Sequence, residues 1–314
     1  MPSLRSHIHR LVVKHWFSSK LHPEWPLARQ RSHVMHAGSC LPVPPTLRVK
    51  TVHAERVPCE WLTFRDHDDG PIFLFLHGGG YCMGAARTHR SLVARLCRRL
   101  HGQALLPNYR LAPEHPFPAG LDDAVTAYDW LLAQGVAARR IVLAGDSAGG
   151  GLALSTALRI RERGRPMPGA LLLLSPWTDL MLTGGSLVTR AERDPMISRA
   201  WLAWQADMYC AGRDPATPLI SPLYADLRGL PPLVIQVGSD EILFSDADRL
   251  MEKAKIAGVR VDFLVGDHMW HGWQMLAGLM PEADSALQSA ADRLQRWMSA
   301  DELPCSALNT LRMV

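Results

Sequence analysis

The stretch Ile141-Val142-Leu143-Ala144-Gly145-Asp146-Ser147-Ala148-Gly149-Gly150-Gly151-Leu152 decides the reading of this chain. Its first four residues form a short apolar run, the length of a buried strand. Leu154, Leu158 and Ile160 continue at helical spacing, and Arg159, Arg161 and Arg163 stand just before Gly164, a basic helix end with a terminating glycine. Between strand and helix lies G-x-S-x-G. Small residues must flank Ser147 because the turn is tight and strained. The turn holds the hydroxyl out over the sheet edge, at the positive end of the helix dipole. A bare G-x-S-x-G is common in glycine-rich sequence, so the strand–turn–helix context is what gives this one weight.

The same rhythm extends in both directions. Short apolar runs stand at Ile72–Leu76, Gln103–Leu106, Ala170–Leu174, Leu233–Val237 and Val261–Val265. Between them the pattern turns helical, as in Leu121, Val125, Tyr128 and Leu132. Repeated strand–helix units predict an α/β fold, a parallel sheet covered by helices on both faces. Ahead of them, Leu47, Val49 and Thr51, then Val57, Trp61 and Thr63, alternate as two antiparallel strands would. Two regions break the rhythm: residues 1–45, rich in His, Trp and Pro, and residues 178–225. In the second, Asp194-Pro195 reads as a helix start with an apolar stripe at Ile197, Trp201, Trp204 and Met208. That stripe either packs on the main core or forms a helical cap over the carboxyl ends of the strands.

Composition narrows the class. In 314 residues, 34 basic and 30 acidic side chains leave a net charge of +4, with 47% hydrophobic residues, as in ordinary globular proteins. No Lys/Arg block with interleaved aromatics points to nucleic acid. The apolar runs fall far short of the ~20 residues that span a bilayer, so no membrane span is expected. The N-terminus has no secretory apolar region, which makes cytoplasmic the default expectation. Cys40, Cys59, Cys82, Cys97, Cys210 and Cys305 show no close pairing and read as reduced structural thiols. Cys82, beside a glycine loop, reads as a packing residue before a reactive thiol. Fourteen histidines raise the question of a metal, yet His268-x-x-His271 lacks the glutamate and spacing of H-E-x-x-H. Neither metal nor cofactor is expected.

His77-Gly78-Gly79-Gly80 follows another strand. Consecutive glycines let the backbone approach a bound acyl group and aim bare N–H donors at its developing oxyanion, each worth ~3–4 kcal/mol. No Lys-Ser/Thr follows, so a phosphate cradle is the weaker reading. A serine nucleophile needs a base, and the base an orienting acid. In α/β sheets both sit past carboxyl ends of strands. Asp240, in Val237-Gly238-Ser239-Asp240-Glu241, fills the acid's place, with Glu241 its nearest rival; Asp246 and Asp248 read as solvated helix charges. His271, in His268-Met269-Trp270-His271-Gly272-Trp273, fills the base's place, and spacing alone does not separate it from His268. Trp270 and Trp273 flank the base, where they either line the pocket or, the weightier reading, are aromatics buried for packing. The order Ser147, Asp240, His271 is the α/β-hydrolase order.

Together, His77-Gly78-Gly79-Gly80, Gly145-Asp146-Ser147-Ala148-Gly149-Gly150, Tyr109-Arg110-Leu111-Ala112-Pro113-Glu114, Asp240-Glu241-Ile242-Leu243 and His271-Gly272-Trp273 resemble the hormone-sensitive-lipase family of esterases over about residues 70–275. The resemblance implies a mostly parallel eight-stranded α/β-hydrolase sheet with a helical cap. Residues 46–177 and 226–300 would form the catalytic domain, 1–45 and 178–225 the two parts of the cap, and 301–314 a C-terminal tail. It implies Ser147 as nucleophile, His271 as base and acid, Asp240 as orienter, and N–H groups of Gly79, Gly80 and Ala148 as oxyanion donors. His77 would support the glycine loop. Many relatives read Asp-Pro-Leu where this chain has Asp240-Glu241-Ile242-Leu243, a difference that bears on substrate subgroup. The expected activity is hydrolysis of short-to-medium acyl esters, with soluble esters favoured over emulsified fat because the pocket is capped. An amide-cleaving hydrolase shares the same triad. A binding protein on this fold is disfavoured because His271 is present. Relatives often dimerise through the edge strand, here Val261–Val265.

Overall fold

The computed structural model describes residues 2–65 and 69–299. The expected tail at 301–314, with Cys305, lies outside them.

Every apolar run named above is a strand, lengthened by at most two residues. The strands are β1 (Arg48–Ala54), β2 (Val57–Thr63), β3 (Ile72–Leu76), β4 (Gln103–Pro107), β5 (Ile141–Asp146), β6 (Ala170–Leu174), β7 (Leu233–Gly238) and β8 (Val261–Gly266). They form one eight-stranded sheet in the order β1-β2-β4-β3-β5-β6-β7-β8. The β1–β2 and β2–β4 pairings are antiparallel, and β4 through β8 run parallel. The helices are α1 (Leu4–Val12), α2 (Leu27–Ser39), α3 (Ala86–Arg99), α4 (Ala119–Ala133), α5 (Ala148–Glu162), α6 (Ser186–Thr189), α7 (Arg199–Cys210), α8 (Phe244–Ile256) and α9 (Pro281–Ser299).

The period-two geometry of a strand sorts the core into two layers. Leu74, Leu143, Leu171, Leu173, Leu233 and Ile235 pack towards α4, α5 and α8. Phe73, Phe75, Val142, Ala144, Leu172 and Val234 pack towards α3 and α9. Strands buried on both faces read as unbroken apolar runs instead of alternating ones, as these do.

Two expectations are corrected. The chain at Asp194-Pro195 is not helical; the helix starts at Arg199, where the Ser198 side chain accepts from the Trp201 N–H. Asp194 faces inward and accepts from Met196 N and Ile242 N instead. Asp246 is not a solvated charge: it is 1% exposed and caps the backbone N–H groups of Thr178 and Asp179, both at 2.8 Å. Helical periodicity placed it on α8 but carried no sign of the loop that α8 covers.

Segments 1–45 and 178–225 meet each other. Trp201 Nε1 donates to Gln30 Oε1 at 2.8 Å, and Ser18 Oγ to the Pro195 carbonyl at 2.6 Å. Both segments wall a cavity over the carboxyl ends of the strands, through residues such as Val12, Val34, Ile197 and Trp201.

Candidate active site

Ser147 is the pivot between β5 and α5. Its φ of 53° is left-handed, a conformation that costs a non-glycine residue ~1–3 kcal/mol and is held here by the surroundings. Its N–H donates to Leu174 O and its carbonyl accepts from Trp177 N, both at 2.9 Å, so the end of β6 and the loop after it clamp the turn. Gly149 is required because a Cβ there would stand 2.0 Å from the Leu76 carbonyl oxygen. The turn therefore works only where β3 and α5 can touch.

The Ser147 hydroxyl lies 2.9 Å from His271 Nε2. The other ring nitrogen, Nδ1, lies 3.3 Å from Glu241 Oε1. A carboxylate only accepts, so Nδ1 carries the proton and Nε2 is left to accept from Ser147. Glu241 is fully buried, and its Oε2 accepts from Gly238 N and Ser175 Oγ, both at 2.8 Å. Burial alone would lower the pKa of His271. The hydrogen bond that Nδ1 donates to Glu241 and the charges of Glu241, Asp194 and Asp146 outweigh it, so the net shift is upward.

The structure does not bring the expected acid, Asp240, to His271; its neighbour and rival Glu241 stands there instead. The Asp240 side chain turns away towards α1, where Oδ2 accepts from Arg10 Nη1 at 3.0 Å. Glu241 is the residue that enters the core between β6 and the His271 loop. Adjacent residues leaving a strand point to different sides, and the longer glutamate reaches the imidazole from the inner one. His268, the other candidate base, is exposed and faces Asp267. Trp270 and Trp273 are both at or below 2% exposure, buried as packing aromatics are, and Trp270 also lines the cavity.

The glycine loop sits beside this pair. Gly79 and Gly80 have φ of 120° and 60°, and a Cβ on Gly79 would stand 2.2 Å from the Met83 carbonyl oxygen. Both glycines line the same cavity as Ser147 and His271, and Ala148 opens α5 with an N–H that has no intrahelical partner. The loop is braced from below. Asp146 accepts from Gly78 N at 2.9 Å and faces His89 Nε2 at 3.2 Å. His77 stacks on Tyr109 at 4.2 Å, and Tyr109 Oη donates to the His77 carbonyl at 2.6 Å. Burial pushes His77 down to about 3, so the ring stays neutral, as a supporting group must. His89 escaped the sequence reading because a histidine within a helix carries no signal of its own. Cys82 is buried, and desolvation pushes its thiol up to about 12, which suits packing and not reactivity. No group of His, Cys, Asp and Glu among the described residues is arranged to hold a metal ion.

The cavity above Ser147 holds about 410 Å³ and is walled mainly by apolar side chains, among them Ile8, Val12, Trp16, Val34 and Met275. A second carboxyl, Asp194, stands close behind the Glu241–His271 pair. Burial pushes it up to about 6.

The comparisons with known proteins agree with this fold. The family described as α/β hydrolase fold matches residues 73–275. An acetyl-hydrolase of Streptomyces hygroscopicus is 42% identical over 250 residues, covering 80% of this chain and 82% of that protein. An esterase of Acinetobacter venetianus is 38% identical over 252 residues, covering 80% of this chain and 83% of its own. The crystal structure of an esterase from the bacterial hormone-sensitive lipase family superposes with a TM-score of 0.90 at 38% identity, covering 95% of this chain and all of that one. The chain belongs to the α/β-hydrolase fold family. Within it, the chain is a hormone-sensitive-lipase-type esterase, a carboxylic ester hydrolase. Among the described residues, no helix is long and apolar enough to cross a membrane.

Proposed function

We propose that this esterase hydrolyses short-to-medium acyl esters through an acyl-enzyme on Ser147, with His271 as base and acid and Glu241 as the orienting carboxylate. The observation that carries the reading is the 2.9 Å contact of Ser147 Oγ with His271 Nε2, at the floor of an apolar cavity edged by Gly79 and Gly80. His271 takes the hydroxyl proton as Ser147 Oγ bonds to the ester carbonyl carbon. The carbonyl oxygen becomes an oxyanion facing the N–H groups of Gly79, Gly80 and Ala148. His271 then passes its proton to the departing alkoxide, and the C–O bond breaks. Water repeats the sequence on the acyl-enzyme and releases the acid. Glu241 stabilises the transient imidazolium without taking its proton.

A cavity of about 410 Å³ accommodates an acyl chain of a few carbons; its walls are mainly apolar, and Asp146, the carboxylate in its lining, is engaged by Gly78 N and His89. The test is hydrolysis of p-nitrophenyl acetate, butyrate and decanoate by the protein and by Ser147→Ala. Acetate and butyrate esters should be turned over fastest, with activity abolished by the substitution. Activity surviving in Ser147→Ala would refute the nucleophile. A matched butyranilide cleaved faster than the ester would favour an amidase. The edge position of β8 in the sheet supports a homodimer through that strand, which light scattering of the eluting protein would test.

A further inference from the structure

Arg10, on α1, reaches across to the site and holds three separate segments. Its Nη1 donates to Asp240 Oδ2 at 3.0 Å and to the His268 carbonyl at 3.2 Å, and its Nη2 donates to the Arg193 carbonyl. Its guanidinium also lies over the Trp270 ring, 5.7 Å from the centroid. Three of these contacts fall one residue before a titratable group of the site: Asp240 before Glu241, Trp270 before His271, and Arg193 before Asp194. The segments are also tied to each other, through Asp240 N to Met269 O at 2.9 Å, His268 N to Ser239 Oγ at 2.8 Å, and Ile242 N to Asp194 Oδ2 at 3.0 Å. Asp240 is only 7% exposed, and its second oxygen faces Arg193 Nη1 at 4.0 Å.

We infer that Arg10 and Asp240 are positioning residues: their ion pair latches the N-terminal helix onto the acid loop and the histidine loop, so that Glu241 and His271 are held in register. The guanidinium fork suits this task because its planar, fixed donors engage a carboxylate and two carbonyls at once. A latch between cap and acid loop couples closure of the cavity to completion of the site. When α1 is seated, Glu241 is pressed towards Nδ1. When α1 lifts, the loop loses its outer support. The inference rests on Glu241 as the partner of His271.

The test measures kcat, KM and the acidic limb of kcat/KM against pH for Arg10→Met, Asp240→Asn, the double variant and Arg10→Lys, with thermal melts alongside. Asp240→Asn is nearly isosteric and keeps the test available if Arg10→Met does not fold. The groups facing His271 are Glu241, Asp194 and Asp146, and those facing Asp240 are Arg10, Arg193 and Arg190. None of the others is altered. Each single variant should lower kcat about tenfold with KM changed less than threefold, since small misplacements at a reacting centre cost rate before binding. The acidic limb should move to lower pH as Glu241 loosens from His271. The double variant should be no worse than the worse single one, and Arg10→Lys should recover part of the loss. A changed melt or KM with kcat and the limb unmoved would reduce the pair to a structural anchor and overturn the inference. Glu241→Gln, run in parallel, separates the two readings. No loss there sinks Glu241 itself, whereas loss there with no loss in the Arg10 and Asp240 variants sinks only the latch.

Discussion

Replacing Glu241 by glutamine tests the choice of acid directly, because the site presents the new amide with three donors and one oxygen to meet them. Gly238 N and Ser175 Oγ both donate to Oε2 at 2.8 Å, and His271 Nδ1 faces Oε1 at 3.3 Å. If the amide oxygen keeps the Gly238 and Ser175 bonds, its NH₂ group points at Nδ1. The imidazole must then accept there and carry its proton on Nε2, towards Ser147, where it can no longer take the hydroxyl proton. That tautomer inversion costs about 10⁴ in rate, or ~5.5 kcal/mol of barrier, in enzymes where it has been isolated. If the amide flips to rescue the tautomer, its NH₂ meets the Gly238 N–H, leaving a buried donor unmet at ~1–3 kcal/mol. Partial occupancy of the flipped state sets the loss between about 10² and 10⁴.

The assay is kcat/KM on p-nitrophenyl butyrate at pH 8, with a thermal melt to establish that the fold survives. Glu241→Gln should fall by that factor, mostly in kcat, and Glu241→Asp should also fall because the shortened carboxylate retreats from a contact already at 3.3 Å. Asp240→Asn should fall only about tenfold, the latch effect alone. The reasoning is refuted if Glu241→Gln stays within fivefold of the parent while Asp240→Asn loses a thousandfold.

Other outcomes follow from the same geometry. His271 has a pKa raised above its ordinary value, with burial working against the hydrogen bond to Glu241 and the charges of Glu241, Asp194 and Asp146, so activity should rise with pH through a limb displaced upward from the ordinary histidine value. Asp194→Asn removes one of those charges, and a kcat/KM profile should show the limb moving to lower pH. Asp246, pushed up to about 7 chiefly by burial, binds its proton more tightly folded than unfolded. Its contribution to stability is therefore greatest below the unfolded carboxylate pKa and is lost as pH rises towards 7. Asp246→Asn can keep both bonds from Thr178 and Asp179 through its amide oxygen, so its melting temperature relative to the parent should be higher at pH 8 than at pH 4. Gly79→Ala would force a Cβ to within 2.2 Å of the Met83 carbonyl at a φ of 120°; activity should drop at least a hundredfold, the scale of one lost oxyanion donor. Val34→Phe adds a ring to the cavity wall, and the ratio of decanoate to acetate hydrolysis should fall.

The parts of this molecule that were legible in the sequence are those where local chemistry and global position coincide. A strand buried on both faces must be apolar throughout, so β3 to β7 announce themselves in any order of reading. Ser147 and the glycines around it are dictated by a turn that admits few alternatives. The acid is different. Asp240 and Glu241 leave the same strand with the same charge, and only the direction each side chain takes on leaving β7 separates them. That direction is set largely by partners far away in the chain: Ser175, 66 residues earlier, joins the nearby Gly238 N–H in drawing Glu241 inward, and Arg10, 230 residues earlier, draws Asp240 outward. The same holds for Asp194, Asp246 and His89, whose roles depend on backbone groups brought to them by other segments. A buried polar residue must be satisfied by something, but sequence alone does not say by what. The carboxylate next door to the acid is therefore not a redundant copy. Two adjacent acids turned to opposite sides give the loop one hand on the imidazole and one on the cap, and a single acid could not hold both.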